Sequence, residues 1–416
     1  NLNTSWIKKG PPPFLDLQPQ GIDLQYPEGY PFDKLYPHQI EGVKQMLQGR
    51  LLCADEMGVG KTYQACAWAG ILQKHLHLEC LIICPAYLQD TWKKASRDFL
   101  DAHVVSYTRF SKEPRKIPIV ILDEAHMIKN KNSKRSKIIR KYLKGTPHKL
   151  LLTGTPVKNR PAELWALLDL LGKAPPWSLW IRRYCKAHKN PFGGIDFRGA
   201  SLQTEMWEYA HKFMVRRRSR EVLDLPPKER KRILIPIPVS EDMQKKFARW
   251  KCINRLEITQ KLERERKLLI TQLYVLSGKA KIPKLIQHLK GVKEPFLVFA
   301  VHTEVLETMQ KEFPQSAVLH GGIPALKREE VVQQFQGGHL QSLFLSIGAC
   351  STGLTITRAR LLFFAEYSFS PGDLEQAENR IWRIGQTQPC TISYLHSPPF
   401  DDWIWKSLQR KSENTL

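Results

Sequence analysis

Short, continuously apolar runs alternate along this chain with longer stretches in which apolar residues recur at helical spacing. In the first half the runs are Leu51-Leu52-Cys53-Ala54, Cys80-Leu81-Ile82-Ile83, Ile117 to Leu122 and Lys149 to Leu152. A strand that is apolar at every position is buried on both faces, so this alternation predicts a parallel sheet covered by helices. The pattern lapses over 160–225 into a helical region with basic and aromatic residues. At Leu225-Pro226-Pro227-Lys228 the paired prolines stop the preceding helix and open a linker. A second series follows: Phe296 to Ala300, Ser316 to Leu319, Ser342 to Leu345, Leu361 to Ala365 and Thr391 to Leu395. No short-period repeat relates the halves, so the duplication is architectural.

The expected organisation is therefore an α/β chain with two parallel-sheet lobes in tandem. Residues 1–33 are a Pro- and Gly-rich irregular lead-in. The first lobe spans 34–225 with a helical protrusion over 160–225, the linker covers 226–231, and the second lobe spans 232–416. Met243 to Leu276, a charged stretch around Lys261-Leu262-Glu263-Arg264-Glu265-Arg266-Lys267, reads as a solvated helix pair forming a second protrusion over about 240–278.

A length of 416 residues suits two domains, and a hydrophobic content of 42% can fill both cores. Charge changes the picture more. With 64 Lys+Arg against 40 Asp+Glu the net charge is +24, which points to a polyanionic partner or to a strongly basic solvated surface. The eight cysteines are scattered, several within apolar runs, and read as reduced core residues of an intracellular protein. Cys80 and Cys84 lie near His75 and His77, but the apolar strand between the cysteines argues against zinc. No apolar run reaches the ~20 residues of a membrane span, no signal peptide opens the sequence, and no membrane partner is expected.

The segment Asp55-Glu56-Met57-Gly58-Val59-Gly60-Lys61-Thr62 precedes an amphipathic helix. A glycine-rich turn of this kind lets backbone N–H groups and the helix N-terminus face phosphate oxygens. Gly58 and Gly60 permit the close approach, Lys61 would reach the outer phosphates of ATP, and the Thr62 hydroxyl would ligate Mg²⁺. The general pattern places another glycine where this chain has Asp55. Downstream, the strand Ile119-Val120-Ile121-Leu122 runs into Asp123-Glu124-Ala125-His126. Two acids at the carboxyl edge of a parallel sheet stand where such sheets bind ligands. Asp123 would hold Mg²⁺ through water, and Glu124 would polarise the water that attacks the γ-phosphate.

With these two motifs about sixty residues apart, the chain resembles a superfamily-two helicase of the Swi/Snf (sucrose-non-fermenting) ATPase type, over nearly its whole length. The resemblance implies two tandem RecA-like lobes. Leu35-Tyr36-Pro37-His38-Gln39 resembles the motif whose glutamine reads the adenine edge, which implies a nucleotide contact at Gln39. Ile83-Cys84-Pro85-Ala86, with Trp92 beyond it, is similar to the first DNA-contact motif, and Lys129-Asn130 follow the acidic pair. Leu151-Leu152-Thr153-Gly154-Thr155-Pro156, then Asn159 and Glu163-Leu164-Trp165, resembles the segment coupling hydrolysis to DNA, a role implied for Thr153, Gly154, Thr155 and also Gln376. In the second lobe, Leu297 to Ala300 with His302 and Leu319-His320-Gly321-Gly322 resemble the fourth motif and the element after it. Ser346 to Thr357 resembles the fifth, implying DNA contact at Thr352 and nucleotide contact at Gly353. The sixth is Gln376-Ala377-Glu378-Asn379-Arg380-Ile381-Trp382-Arg383-Ile384-Gly385-Gln386, with Asn379 and Trp382 where Asp and His are usual.

Arg380 and Arg383 lie three apart, so on a helix they share one face. Pointed at the nucleotide, they would neutralise charge developing on the γ-phosphoryl, as arginine fingers do. A surface charge pair with Glu375 or Glu378 is the bland alternative. Lys129, Lys131, Lys134, Arg135, Lys137, Arg140, Lys141 and Lys144 crowd one segment, and Arg216-Arg217-Arg218 with Arg220 crowd another. Each cluster either tracks DNA phosphates or forms a solvated face, and the second also resembles a family element that links the lobes.

Arg183-Tyr184-Cys185-Lys186-Ala187-His188, then Phe192 to Ser201, resembles the annealing-helicase branch that remodels stalled replication forks (the SMARCAL type). This implies a monomeric, ATP-dependent motor on duplex or branched DNA, found in the nucleus of a eukaryote or the cytoplasm of a bacterium or virus-infected cell. The alternatives are a chromatin- or protein-displacing remodeler, a nucleotide-gated DNA-binding switch, and a motor acting on RNA.

Overall fold

The computed structural model describes residues 17–22, 27–112, 114–128, 133–157, 160–190, 193–254, 260–348 and 354–413. The chain divides into two compact units between Asp224 and Leu225, at the prolines that the sequence marks as the start of a linker.

The first unit holds β1 (Leu52–Cys53), β2 (Cys80–Cys84), β3 (Ala102–Ser106), β4 (Ile119–Leu122), β5 (His148–Leu152), the hairpin strands β6 (His188–Lys189) and β7 (Ile195–Asp196), and β8 (Met214–Val215). Its main sheet has the order β3-β2-β4-β5-β1-β8 with every pairing parallel. Alternate residues serve opposite faces. Leu81, Ile83, Val120 and Leu122 enter one core, whereas Cys80, Ile82, Cys84, Ile119 and Ile121 enter the other. Both faces are covered by helices, so no polar position is tolerated inside these strands. Ile82 and Ile121 are fully buried, each worth roughly 1.5–3 kcal/mol relative to exposure, and the result is a stiff platform for the loops at its carboxyl edge. The 160–225 region forms helices Pro161–Leu170, Trp177–Tyr184, Gln203–His211 and Ser219–Val222 together with the β6–β7 hairpin.

The second unit repeats the plan. Its strands are β9 (Lys228–Leu234), β10 (Phe296–Ala300), β11 (Ser316–Leu319), β12 (Ser342–Ser346), β13 (Leu361–Phe364) and β14 (Cys390–His396), in the order β11-β12-β10-β13-β14-β9, again all parallel. Residues 228–231, expected to be linker, instead begin β9, which pairs with β14 from Lys228↔Cys390 to Leu234↔His396. As an edge strand its sequence Lys-Glu-Arg-Lys-Arg-Ile-Leu is largely exposed and carries no apolar run, which is why periodicity missed it. The charged stretch forms two helices, Glu241–Ile253 and Gln260–Lys290; the second continues through Pro283 well beyond the expected boundary.

Among the described residues no helix is long and apolar enough to cross a membrane. Cys53, Cys66, Cys80, Cys84, Cys185 and Cys390 are buried free thiols, Cys252 is an exposed one, and no described His/Cys/Asp/Glu cluster could hold a metal by itself. Burial, with the Asp101 charge adding to it, pushes the Cys80 thiol up to about 12.

Candidate nucleotide site and its supports

Three neighbouring strands of the first sheet deliver the predicted chemistry to one edge. β1 leads into the glycine-rich loop, β4 into Asp123-Glu124, and β5, which lies between them, into Thr153-Gly154-Thr155. The register holds the ends level, with Thr153 N–H donating to Cys53 O at 3.0 Å and Asp123 N–H to Ile83 O at 2.9 Å.

Gly58 and Gly60 both have φ of +86°, a conformation that favours glycine, and Gly60 caps the helix Lys61–Leu76. A side chain at Gly60 would collide with the Gln39 carboxamide. The Lys61 ammonium donates to the carbonyls of Asp55 (2.8 Å) and Glu56 (3.0 Å), weak neutral acceptors that phosphate oxygens can replace. Thr62 stands in the first turn of the same helix. The glycine cradle, helix N-terminus, lysine and threonine together fit a triphosphate with its Mg²⁺.

Asp55 has a structural reason for standing where glycine is usual. Its carboxylate is wholly buried and accepts from the Arg217 backbone N–H (2.9 Å), the Arg217 guanidinium and Gln64 Nε2 (2.9 Å). Arg217 also donates to Gln64 Oε1 at 2.6 Å and to His38 O. Ser219 completes the brace, its N–H on Glu56 Oε2 at 2.9 Å and its hydroxyl on Met57 O at 3.0 Å. The glycine-rich loop is thus held from behind by residues more than 150 positions away, and sequence spacing carried no sign of it. Arg217, read from the sequence as a DNA-phosphate contact, a solvated cation or part of a lobe-linking element, is committed to this buried pair. Its neighbour Arg216 stacks over the Trp207 ring at 5.6 Å, and Arg218 approaches Glu221 at 3.9 Å.

Asp123 is the second buried carboxylate of the site. Its Oδ2 accepts from the Trp92 indole N–H at 2.8 Å and its Oδ1 from Glu124 N at 2.8 Å, while the Tyr107 hydroxyl donates to its carbonyl. Burial, reinforced by the adjacent Glu124 charge, pushes its pKa up to about 6 from 3.8, and the Trp92 hydrogen bond opposes the rise. Such a carboxylate is poised for a cation. Trp92, expected at DNA, is 1% exposed and orients Asp123; Pro85, expected there too, is buried at the end of β2. Trp165 is likewise core, donating to Pro175 O at 2.8 Å.

Glu124 adopts φ of +50°, an uncommon conformation for a side-chain-bearing residue. His126 Nδ1 sits 3.1 Å from Glu124 Oε2 and 3.3 Å from Thr153 Oγ1, and Thr155 N–H donates to Thr153 Oγ1 at 3.2 Å. Glu124 and the Thr153–Thr155 segment therefore share one hydrogen-bonded chain, with Gly154 against Met57 and the Lys61 ammonium. Gln39 is 2% exposed, its Nε2 on Val59 O at 3.3 Å and its Oε1 receiving Tyr36 N–H at 3.0 Å, so its carboxamide braces the loop.

In the second unit, Arg380 and Arg383 converge: Nη1 of each donates to Leu354 O, at 3.2 and 3.3 Å. They do so from turns, because the helix Pro371–Glu378 ends before them; loop geometry, and not the expected shared helix face, brings them together. Burial, then the Arg380 charge, lowers the Arg383 pKa to about 10. Two guanidinium groups held this close suit an anion. Glu378, the bland alternative partner, is occupied by Lys228, Arg230 and Tyr394. Gln376 lies on the same helix, half-buried. His302 Nδ1 is 2.8 Å from Oε1 of the fully buried Glu366, whose Oε2 accepts the Val301 and His302 N–H groups at 3.0 and 2.9 Å. Lys129, Asn130, Thr352 and Gly353 lie outside the described residues.

Of the first basic cluster, Arg135 stacks over Tyr107 at 5.8 Å and Arg140 pairs with Asp169. Lys134, Lys137, Lys141 and Lys144 remain exposed, at spacings that put them along one side of the helix Lys134–Leu143 and its cap.

Fold and site together define a tandem RecA-like α/β protein with a glycine-rich loop ahead of a helix and an acidic strand end. The SNF2-related domain model matches residues 103–292 and the helicase conserved C-terminal domain model matches 280–385. The chain belongs to the SNF2-related helicase family. It is similar to the Xenopus laevis SWI/SNF-related matrix-associated actin-dependent regulator of chromatin subfamily A-like protein 1, at 29% identity over 94% of this chain and 45% of that protein. It is also similar to the human DNA annealing helicase and endonuclease ZRANB3, at 30% identity over 92% of this chain and 40% of that protein. The chain thus spans less than half the length of these relatives. A likeness to the Sulfolobus solfataricus SWI2/SNF2 ATPase core in complex with dsDNA covers 92% of this chain and 90% of that one, at 19% identity and a TM-score of 0.42.

Proposed function

We propose that the chain is an ATP-dependent double-stranded DNA translocase that remodels or reanneals branched DNA such as replication forks. The observation that carries the catalytic part is the delivery of Lys61, Asp123-Glu124 and Thr153–Thr155 to one sheet edge by adjacent strands. Similarity to a DNA annealing helicase supports the choice of substrate.

The chemistry divides between the units. In the first, Gly58, Gly60 and Lys61 hold the phosphates, and Thr62 with Asp123 would hold Mg²⁺. The ion, when bound, neutralises phosphate oxygens. Glu124 accepts the proton of the attacking water, and its link through His126 to Thr153 ties that role to the segment expected to couple hydrolysis to DNA. In the second unit, Arg380 and Arg383 converge on Leu354 O as a cationic pair of the kind that neutralises developing phosphoryl charge. The exposed stripe Lys134, Lys137, Lys141 and Lys144 tracks phosphates of the duplex without reading sequence. Relatives from animals favour a nucleus as the place of action.

A model fork with one labelled strand tests this reading. With ATP and Mg²⁺ the protein should convert the fork to reannealed duplex, and Lys61→Ala should not. Turnover that mobilises nucleosomal DNA while leaving the fork intact favours the remodeler, and fork binding without turnover favours the switch.

A further inference from the structure

The chain entering the second unit is fastened to the segment that carries the arginines. The Trp382 indole N–H donates to Pro226 O at 2.7 Å, and the Lys228 ammonium lies 4.1 Å from the centre of the same ring. Lys228 also reaches Glu378 Oε2 at 3.1 Å, and Arg230 grips both oxygens of that carboxylate at 2.8 and 2.6 Å. Glu378 is buried and receives the Tyr394 hydroxyl from β14 at 2.7 Å. Arg380 thus lies between the two anchors and Arg383 directly follows the second, and both anchors close on the first residues after the unit boundary at Leu225.

We propose that Trp382 and Glu378 are positioning residues that tie the start of β9 and the residue pair before it to the arginine turn, so that displacement of this entering chain changes where Arg380 and Arg383 point. The proposal rests on the reading of the chain as a DNA-stimulated ATPase. A cation shared between a ring face and a buried carboxylate transmits displacement well, because it cannot leave one partner without stranding the other. The position of the entering chain would then gate hydrolysis without any contact between these anchors and the nucleotide.

The test compares Trp382→Phe, Lys228→Met and Lys228→Arg with wild type in steady-state ATP turnover on duplex DNA at fixed salt, beside binding of a fluorescent ADP analogue. Trp382→Phe keeps the ring but removes the donor; Lys228→Met removes the cation. Each should lower DNA-stimulated kcat by roughly 5- to 20-fold, the scale of a small misplacement of a catalytic group, with KM for ATP and analogue binding within about twofold. Lys228→Arg keeps the charge and can stack on the ring, and should be faster than Lys228→Met. Wild-type kcat in both Trp382→Phe and Lys228→Met overturns the proposal. So does a loss in which Lys228→Arg is as impaired as Lys228→Met while analogue binding falls in step, which marks a merely structural role. A wild-type protein without DNA-stimulated turnover removes the underlying reading, and is recognised because it fails before any variant is compared.

Discussion

At the scale of single residues, the buried acids decide how the site is built. Asp55 replaces an expected glycine and collects Arg217 and Gln64 behind the phosphate loop. Arg217→Met would leave that carboxylate uncompensated, and urea unfolding should show a loss of about 3–5 kcal/mol; adding Asp55→Asn should recover a large part. Asp123 depends on Trp92 in the manner of a metal ligand fixed by its outer partner. Trp92→Phe should raise the Mg²⁺ concentration for half-maximal turnover about tenfold or more and leave DNA affinity unchanged, whereas a direct DNA role would show the opposite. His302 gives a pH signature. The hydrogen bond that its ring donates to Glu366 raises its pKa against the opposing effect of burial, so the folded state holds the proton more tightly than the unfolded one. That stabilisation is complete below the ordinary value of 6.5 and is lost as pH rises through the higher native value. The difference in melting temperature between wild type and His302→Gln should therefore shrink between pH 6 and pH 8.

At the scale of elements, what could be read from the chain depended on whether burial imposed a pattern. The interior strands β2, β4, β10, β12 and β13 are apolar at nearly every position because helices cover both faces, and their positions follow from the sequence within a residue or two. β3 and β9 are edge strands and β8 has two residues, so none needs an apolar run, and β9 reads as linker in the sequence. The glycine-rich loop and Asp123-Glu124 stand out in the sequence because phosphate and metal chemistry would demand particular residues at short spacing, and the fold brings the two segments to one sheet edge. The brace of Arg217, Gln64 and Ser219 does not stand out, since its partners meet only through the fold. Trp92 and Arg217 looked like DNA contacts for the same reason: an aromatic or a cation in isolation does not disclose which buried acid it serves. The helix Lys134–Leu143 makes the complementary case, because folding sorts its cations into Arg135 and Arg140, which are engaged, and an exposed lysine stripe. The double substitution Lys137→Ala with Lys141→Ala should weaken duplex binding uniformly across sequences and flatten the dependence of log affinity on log salt by about one per lost phosphate contact.

At the scale of the whole molecule, a net charge of +24 brings the protein to a polyanion, but charge alone does not distinguish a motor from a passive binder. The central claim is that ATP turnover by this chain answers to DNA and requires both Glu124 and Arg383. ATP turnover measured without nucleic acid and with single-stranded, duplex and forked DNA at one salt concentration tests it directly, for wild type, Glu124→Gln and Arg383→Ala. Wild type should be strongly stimulated by duplex and forked DNA, and each variant should lose about 10²-fold or more of that rate while still binding DNA. Stimulated turnover that survives in Arg383→Ala, or a wild type indifferent to DNA, would contradict the account.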